Sequence, residues 1–393
     1  MTTTKRVAIV ANLSIWLLWL AGLGAAMQFA KMSVFFPQLQ ATYADAGTSL
    51  GFLVSLISAV GMVFGVVAGL LVARFGYRKI LLVSLLLGAA MSVVQALILP
   101  LPLMLASRIV EGASHLGIVV AAPTLIAALA GDRWRAAAMT LWGSFFGVAF
   151  ALAALLGPPI VSSGGLPLLF VSHAIWLLVC AALLAVAIPP LCSSAPQSIG
   201  PADILRRHIS IYRSAHISAP AWGWLFYTLT FVAGLTVLPQ FLSPDDAALF
   251  LTAAPIASIV FSLTIGVWLL RYMSAIGVVM IGFVLAVLVT ASLVALPGSP
   301  WPPIALFCVL GLVQGASFAA IPQLNSADND RALATGALAQ TGNLGNLVGT
   351  PILLAAAAYG GLSGFVLFLL LAYLGGVAVH AILANMRRVY PAG

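Results

Sequence analysis

Fourteen of the 16 Lys and Arg residues in this chain sit in polar gaps between long apolar runs, and only in every second gap. They stand at the N-terminus (Lys5, Arg6), after the second run (Arg74, Arg78, Lys79) and after the fourth (Arg133, Arg135). The rest follow the sixth run (Arg206, Arg207, Arg213), the eighth (Arg271), the tenth (Arg331) and the last (Arg387, Arg388). Cationic loops stay on the cytoplasmic side of a membrane. The alternation therefore predicts an all-α membrane protein of twelve transmembrane helices with both termini cytoplasmic. The charge pattern and a retained first span point to a multi-pass protein of the plasma membrane, in a bacterium the inner membrane.

Composition agrees. Charged residues make up 6% of the chain and mean hydropathy is +1.17, whereas soluble proteins carry roughly 25% charged residues. A spanning helix needs ~20 apolar residues. The runs place spans at about 7–36, 48–72, 79–98, 102–130, 136–162, 167–190, 217–241, 247–270, 274–296, 302–323, 332–358 and 364–386. The net charge of +8 belongs to cytoplasmic loops facing anionic headgroups, so it does not point to nucleic acid. Cys180, Cys192 and Cys308 lack metal-ligand or disulfide spacing. No metal or other cofactor is expected.

The longest gap, 191–216, carries Ile204, Leu205, Arg206, Arg207, His208, Ile209, Ile211, Tyr212 and Arg213, the pattern of a short basic amphipathic helix on the inner membrane surface. It divides a bundle over 1–190 from a bundle over 217–393. The two halves share motifs in order. Pro37-Gln38 closes span one and Pro239-Gln240 closes span seven, 202 residues later. Glu111-Gly112-Ala113-Ser114 returns as Gln314-Gly315-Ala316-Ser317 after 203, and Gly69 with Arg74 returns as Gly266 with Arg271 after 197. A duplicated six-helix unit explains a nearly constant offset. Parallel repeats of this kind build one large class of transporters, with the binding site near the midplane.

These residues resemble the major facilitator superfamily over essentially the whole chain. Gly69-Leu70-Leu71-Val72-Ala73-Arg74-Phe75-Gly76-Tyr77-Arg78-Lys79 is similar to the family's signature loop, with Ala73 where the family has an acid. Arg108-Ile109-Val110-Glu111-Gly112 is similar to its Arg-x-x-Gln-Gly pattern, with Glu in place of Gln. Gly157-Pro158 matches the start of its antiporter motif, but Pro159 and Ile160 follow instead of glycines. The resemblance implies two pseudo-symmetric six-helix bundles and alternating access. It also assigns Gly69, Arg74, Gly76, Arg78, Lys79 and Arg271 to an inner gate.

Lys31 and Arg108 are the two cations inside apolar runs, and Glu111 is the acid inside one. Charges buried in a membrane mark functional sites by default. Lys31 lies six residues before Pro37 and Arg108 six after Pro102, so both sit ~9 Å from the outer ends of their spans. Spans one and four line the central cavity in the resembled family. The pair could clamp a carboxylate or phosphate, with Arg108 as a planar fork; alternatively Lys31 snorkels to the headgroups and Arg108 ties helices together. Glu111 shares a helical face with Arg108 and is the candidate for the coupling proton, with His115 next; a permanent salt bridge is the plainer reading. Gln28, one turn from Lys31, stands where many cation exporters place an acid. Gln340, Asn343 and Asn346 form a polar stripe in span eleven, for substrate contact or for interhelical hydrogen bonds. Tyr227 could reach the cavity, while Trp222, Trp224 and Phe226 suit the interface. His173 and His380 lack polar neighbours in sequence and suit structural roles. Glycines at every fourth residue (Gly61, Gly65, Gly69; Gly143, Gly147; Gly345, Gly349) predict close helix packing.

No phosphate loop, nucleophile triad or metal cluster is present in the sequence, so an enzyme is not expected. The expected activity is secondary transport by a monomer, coupled to a proton, of a small organic anion. Export of drugs or metabolites by the same fold is the runner-up. A non-transporting receptor or assembly subunit is the alternative of another class.

Overall fold

The computed structural model describes residues 3–188 and 208–389. Cys192 and the expected linker as far as residue 207 lie outside them. Among the described residues the chain is helical with no strand. Among the described residues nine helices are long and apolar enough to cross a membrane, or ten if the bent pair Ala44–Ser55 and Ser58–Gly65 forms one span. Two stretches are each long enough to cross twice. Phe145–Ala187 has 43 residues, about 64 Å of helix, against a ~30 Å hydrocarbon core. It turns at Gly164 and Gly165, the latter at φ +67°, where the missing Cβ removes the penalty. Asp328–Val389 has 62 residues and turns at Gly361, φ +57°. With both turns the fold is consistent with twelve spans.

Local chemistry sets the other boundaries. The first helix, Thr3–Ser33, ends short of the expected residue 36 because Pro37 starts a new helix, Phe36–Thr42. Ser243 accepts a hydrogen bond from the Asp246 amide and starts Pro244–Phe261. Ser274 does the same for Gly277 and starts Ala275–Ala295. Arginines close the opposite ends. Arg78 donates to the carbonyls of Ile188 (2.6 Å) and Ala185 (2.7 Å) as the sixth span finishes. Arg331 donates to Asn325 O and Arg387 to Ala215 O. Ala185, Ile188 and Asn325 stand at the C-terminal ends of their helices, where carbonyls lack a partner within the helix and a cation meets the negative end of the helix dipole.

The chain forms two compact units. One is Met1–Gln38 with Val67–Ser198, and the other is Leu39–Val66 with Ile199–Gly393. The first half of span two thus belongs to the second unit. Gly51 lies against the backbone of Pro351, Gly65 against Gln340, and Gly61 under the Asn343 amide. A side chain at Gly51 or Gly65 would meet the backbone of span eleven and hold span two off it, and one at Gly61 would displace the Asn343 amide. The first unit has an apolar core of Leu18, Leu81, Leu85, Ile118, Leu125 and Leu177, among others.

Candidate functional site

In the first unit, spans one, three, four and six converge on one buried ion cluster. Lys31 and Glu111 meet at 2.7 Å, and Arg108 pairs with the other oxygen of the same carboxylate. All three side chains are 0% exposed. Lys31 does not snorkel; its ammonium turns inward. Arg108 and Glu111 come together because residues three apart share a helical face. Lys31 reaches them from the neighbouring helix.

Three further residues complete the cluster. Gln95 donates to Glu111 Oε2 at 2.7 Å. Lys31 donates to Ser92 Oγ at 2.8 Å. His173 Nδ1 lies 2.7 Å from Ser92 Oγ and 3.4 Å from Lys31 Nζ, and its Nε2 lies 2.9 Å from the Gly24 carbonyl. Lys31 also lies 5.4 Å from the centre of the Phe170 ring, a cation–π contact. Glu111 is satisfied at both oxygens, which buried charge in a low-dielectric setting demands. His173, with no charged residue near it in sequence, has polar neighbours here supplied by two other helices, spans one and three. The one available signal was its position as a polar residue inside an apolar run.

The remaining candidates of this unit stand beside the cluster. Gln28 donates to Ser114 Oγ at 2.9 Å, Ser114 donates to Ser84 O, and Gln28 Oε1 is buried without a partner. His115 turns away from Glu111; its Nδ1 lies 3.1 Å from Ala25 O and its ring meets Phe29 edge-on. In the loop after span two, Gly76 adopts φ +92° between two helices, and Gly69 in the helix before it has open space around it. Arg74 lies over the Phe75 ring, while Lys79 and Arg271 are exposed.

The second unit holds the other candidates. Tyr227 is buried, stacked on Trp224 with ring centres 4.5 Å apart, and followed by Phe231 and Phe307. Gln340 is fully engaged: it donates to Met62 O at 2.9 Å, lies 3.3 Å from His208 Nε2, and accepts from Tyr212 at 2.8 Å. Burial pushes the Tyr212 phenol up to about 12, so the donor keeps its hydrogen. Residues 208–213 are helical, and Ile211 is buried among Ala221, Ile321 and Ala334. Asn343 donates to Ala339 O, and Asn346 Oδ1 is buried without a partner. Among the described residues no cluster of His, Cys, Asp and Glu could hold a metal ion.

The family model described as Major Facilitator Superfamily matches residues 18–244. No curated protein matches the chain.

Proposed function

The chain belongs to the major facilitator superfamily and is a membrane transporter, and from that premise we propose that it carries a small organic anion together with a proton. One observation carries this reading. Two buried cations share one buried carboxylate, so the sealed cluster holds one uncompensated positive charge. A carboxylate-bearing substrate would offset the cost of that charge, and a cation would add to it. Glu111 and the groups around it are the proposed seat of coupling. Lys31, Arg108, Gln28 and His115 are the proposed substrate groups of the first unit. Tyr227, Gln340, Asn343 and Asn346 are those of the second. Both termini are proposed to be cytoplasmic, the bilayer a bacterial inner membrane and the working form a monomer.

The aromatic run Trp224, Tyr227 and Phe231 favours a second reading, export of a lipophilic drug or metabolite. Counterflow in proteoliposomes separates the two. Lactate, benzoate and succinate form one panel and ethidium the other. Accelerated exchange of an organic acid supports the anion reading. Exchange of ethidium alone overturns it.

A further inference from the structure

The arm of the cluster that runs from Lys31 to Ser92 and His173 has a fixed direction. The Gly24 carbonyl can only accept, so His173 Nε2 carries a hydrogen. In the neutral ring Nδ1 is then a bare acceptor. Lys31 can only donate, so Ser92 Oγ accepts from the ammonium and turns its own hydrogen to His173 Nδ1. The result is a directed chain from Lys31 through Ser92 to His173, with distances of 2.8 and 2.7 Å.

One proton can pass along it without any side chain moving away. An N–H bond of Lys31 breaks as Ser92 Oγ takes that proton, and Ser92 releases its own to His173 Nδ1. Lys31 is left as an amine and His173 as an imidazolium that still donates to Gly24. The cluster keeps its net charge. Glu111 is held differently. Its Oε1 accepts from Lys31, and its Oε2 accepts from Arg108 and Gln95. A proton there would put a donor against a cation.

The groups facing this arm are few. Span one supplies Lys31, and span four supplies Glu111, Arg108 and His115, whose ring is turned to Ala25 O. Span three supplies Ser92 and Gln95. Span six supplies His173 beside Phe170.

We propose that the exchangeable proton is the one Lys31 shares with His173 through Ser92, and that Glu111 and Arg108 are a standing pair that holds the arm in place. This rests on the reading of the chain as an anion–proton cotransporter. With the proton present the cluster is positive and takes the anion. With it lost, Lys31 and His173 are both neutral, Arg108 and Glu111 cancel, and the anion is released.

The test has two readouts. In proteoliposomes, benzoate, lactate and succinate uptake is measured with and without a pH gradient. The ratio of gradient-driven to equal-pH uptake falls by about a hundredfold in Ser92→Ala, the size of a lost proton-transfer group, and returns in Ser92→Thr, which keeps the hydroxyl. A ratio unchanged in Ser92→Ala overturns the proposal while leaving anion transport standing. Absence of uptake of all three acids by the wild type defeats the cotransport reading and this role with it. The second readout needs no substrate. In purified full-length protein with nitrogen-labelled histidine, the resonance lost in His173→Gln identifies the ring. Its Nε2–H form and a titration moved by Ser92→Ala but not by Ser92→Thr support the arm. A ring with hydrogen on Nδ1, or a titration indifferent to Ser92, overturns it.

Discussion

Charge arithmetic inside the first unit makes the three ions unequal. Glu111 is the shared counter-ion, so Glu111→Gln leaves two cations buried side by side. Lys31→Met leaves Arg108 and Glu111, a neutral pair. Removing one partner of a buried pair costs about 3–5 kcal/mol because the other charge is left uncompensated. Glu111→Gln is expected to lose stability on that scale, and Lys31→Met clearly less, in thermal unfolding of detergent-purified protein. A larger loss for Lys31→Met would mean that the excess positive charge is not the dominant cost. The ions themselves were legible in the sequence, since a charge inside an apolar run is conspicuous. Ser92, Gln95 and His173 were not. Hydroxyls and amides are common in spans, and His173 lies 142 residues from Lys31, so only the folded chain puts them together. His115 shows the reverse. It lies one turn past Glu111 on the same helix, yet its ring goes to a carbonyl of span one.

Glycines at four-residue intervals look alike in sequence and differ in the helices they serve. Gly61 and Gly65 meet Asn343 and Gln340, whereas Gly69 has nothing within 4 Å. Period alone cannot say which face of span two is covered, because a helix apolar all round has no solvent side to mark. The bend between Ala44–Ser55 and Ser58–Gly65, 47°, was likewise absent from the hydropathy pattern. The consequence is testable at one contact. A methyl group added at Gly61 would collide with the Asn343 amide, and overpacking of this kind costs about 1–3 kcal/mol. Gly61→Ala should therefore lower thermal stability, and Asn343→Ala in the same chain should restore most of it. Gly69→Ala should do little. Additive losses in the double variant would show that span two does not rest on Asn343.

At the scale of the whole molecule, the cations that reported topology in the sequence also finish helices. Arg78, Arg331 and Arg387 donate to carbonyls at or beside helix ends. One residue type thus meets two demands on the face expected to be cytoplasmic: terminal carbonyls need donors, and anionic headgroups attract cations by about 1 kcal/mol each. At the turns after spans five and eleven, Gly165 and Gly361 reverse the chain by left-handed backbone instead. The charge alternation was visible in the sequence, and the turns at Gly164, Gly165 and Gly361 fall in the short gaps read at 163–166 and 359–363, between spans five and six and spans eleven and twelve. The orientation it implies is open to direct measurement. Reporter fusions after Arg213 and Arg271 should be active in the cytoplasm, and fusions after Ala46 and Gly298 should be active outside. Ala46 precedes the middle of the chain and the other three positions follow it, so an error in the number of spans before Arg213 would invert those three and leave Ala46 alone. Inversion of all four would instead reverse the whole chain and place Arg78, Arg331 and Arg387 against the outer leaflet, where the cationic-loop rule does not hold them.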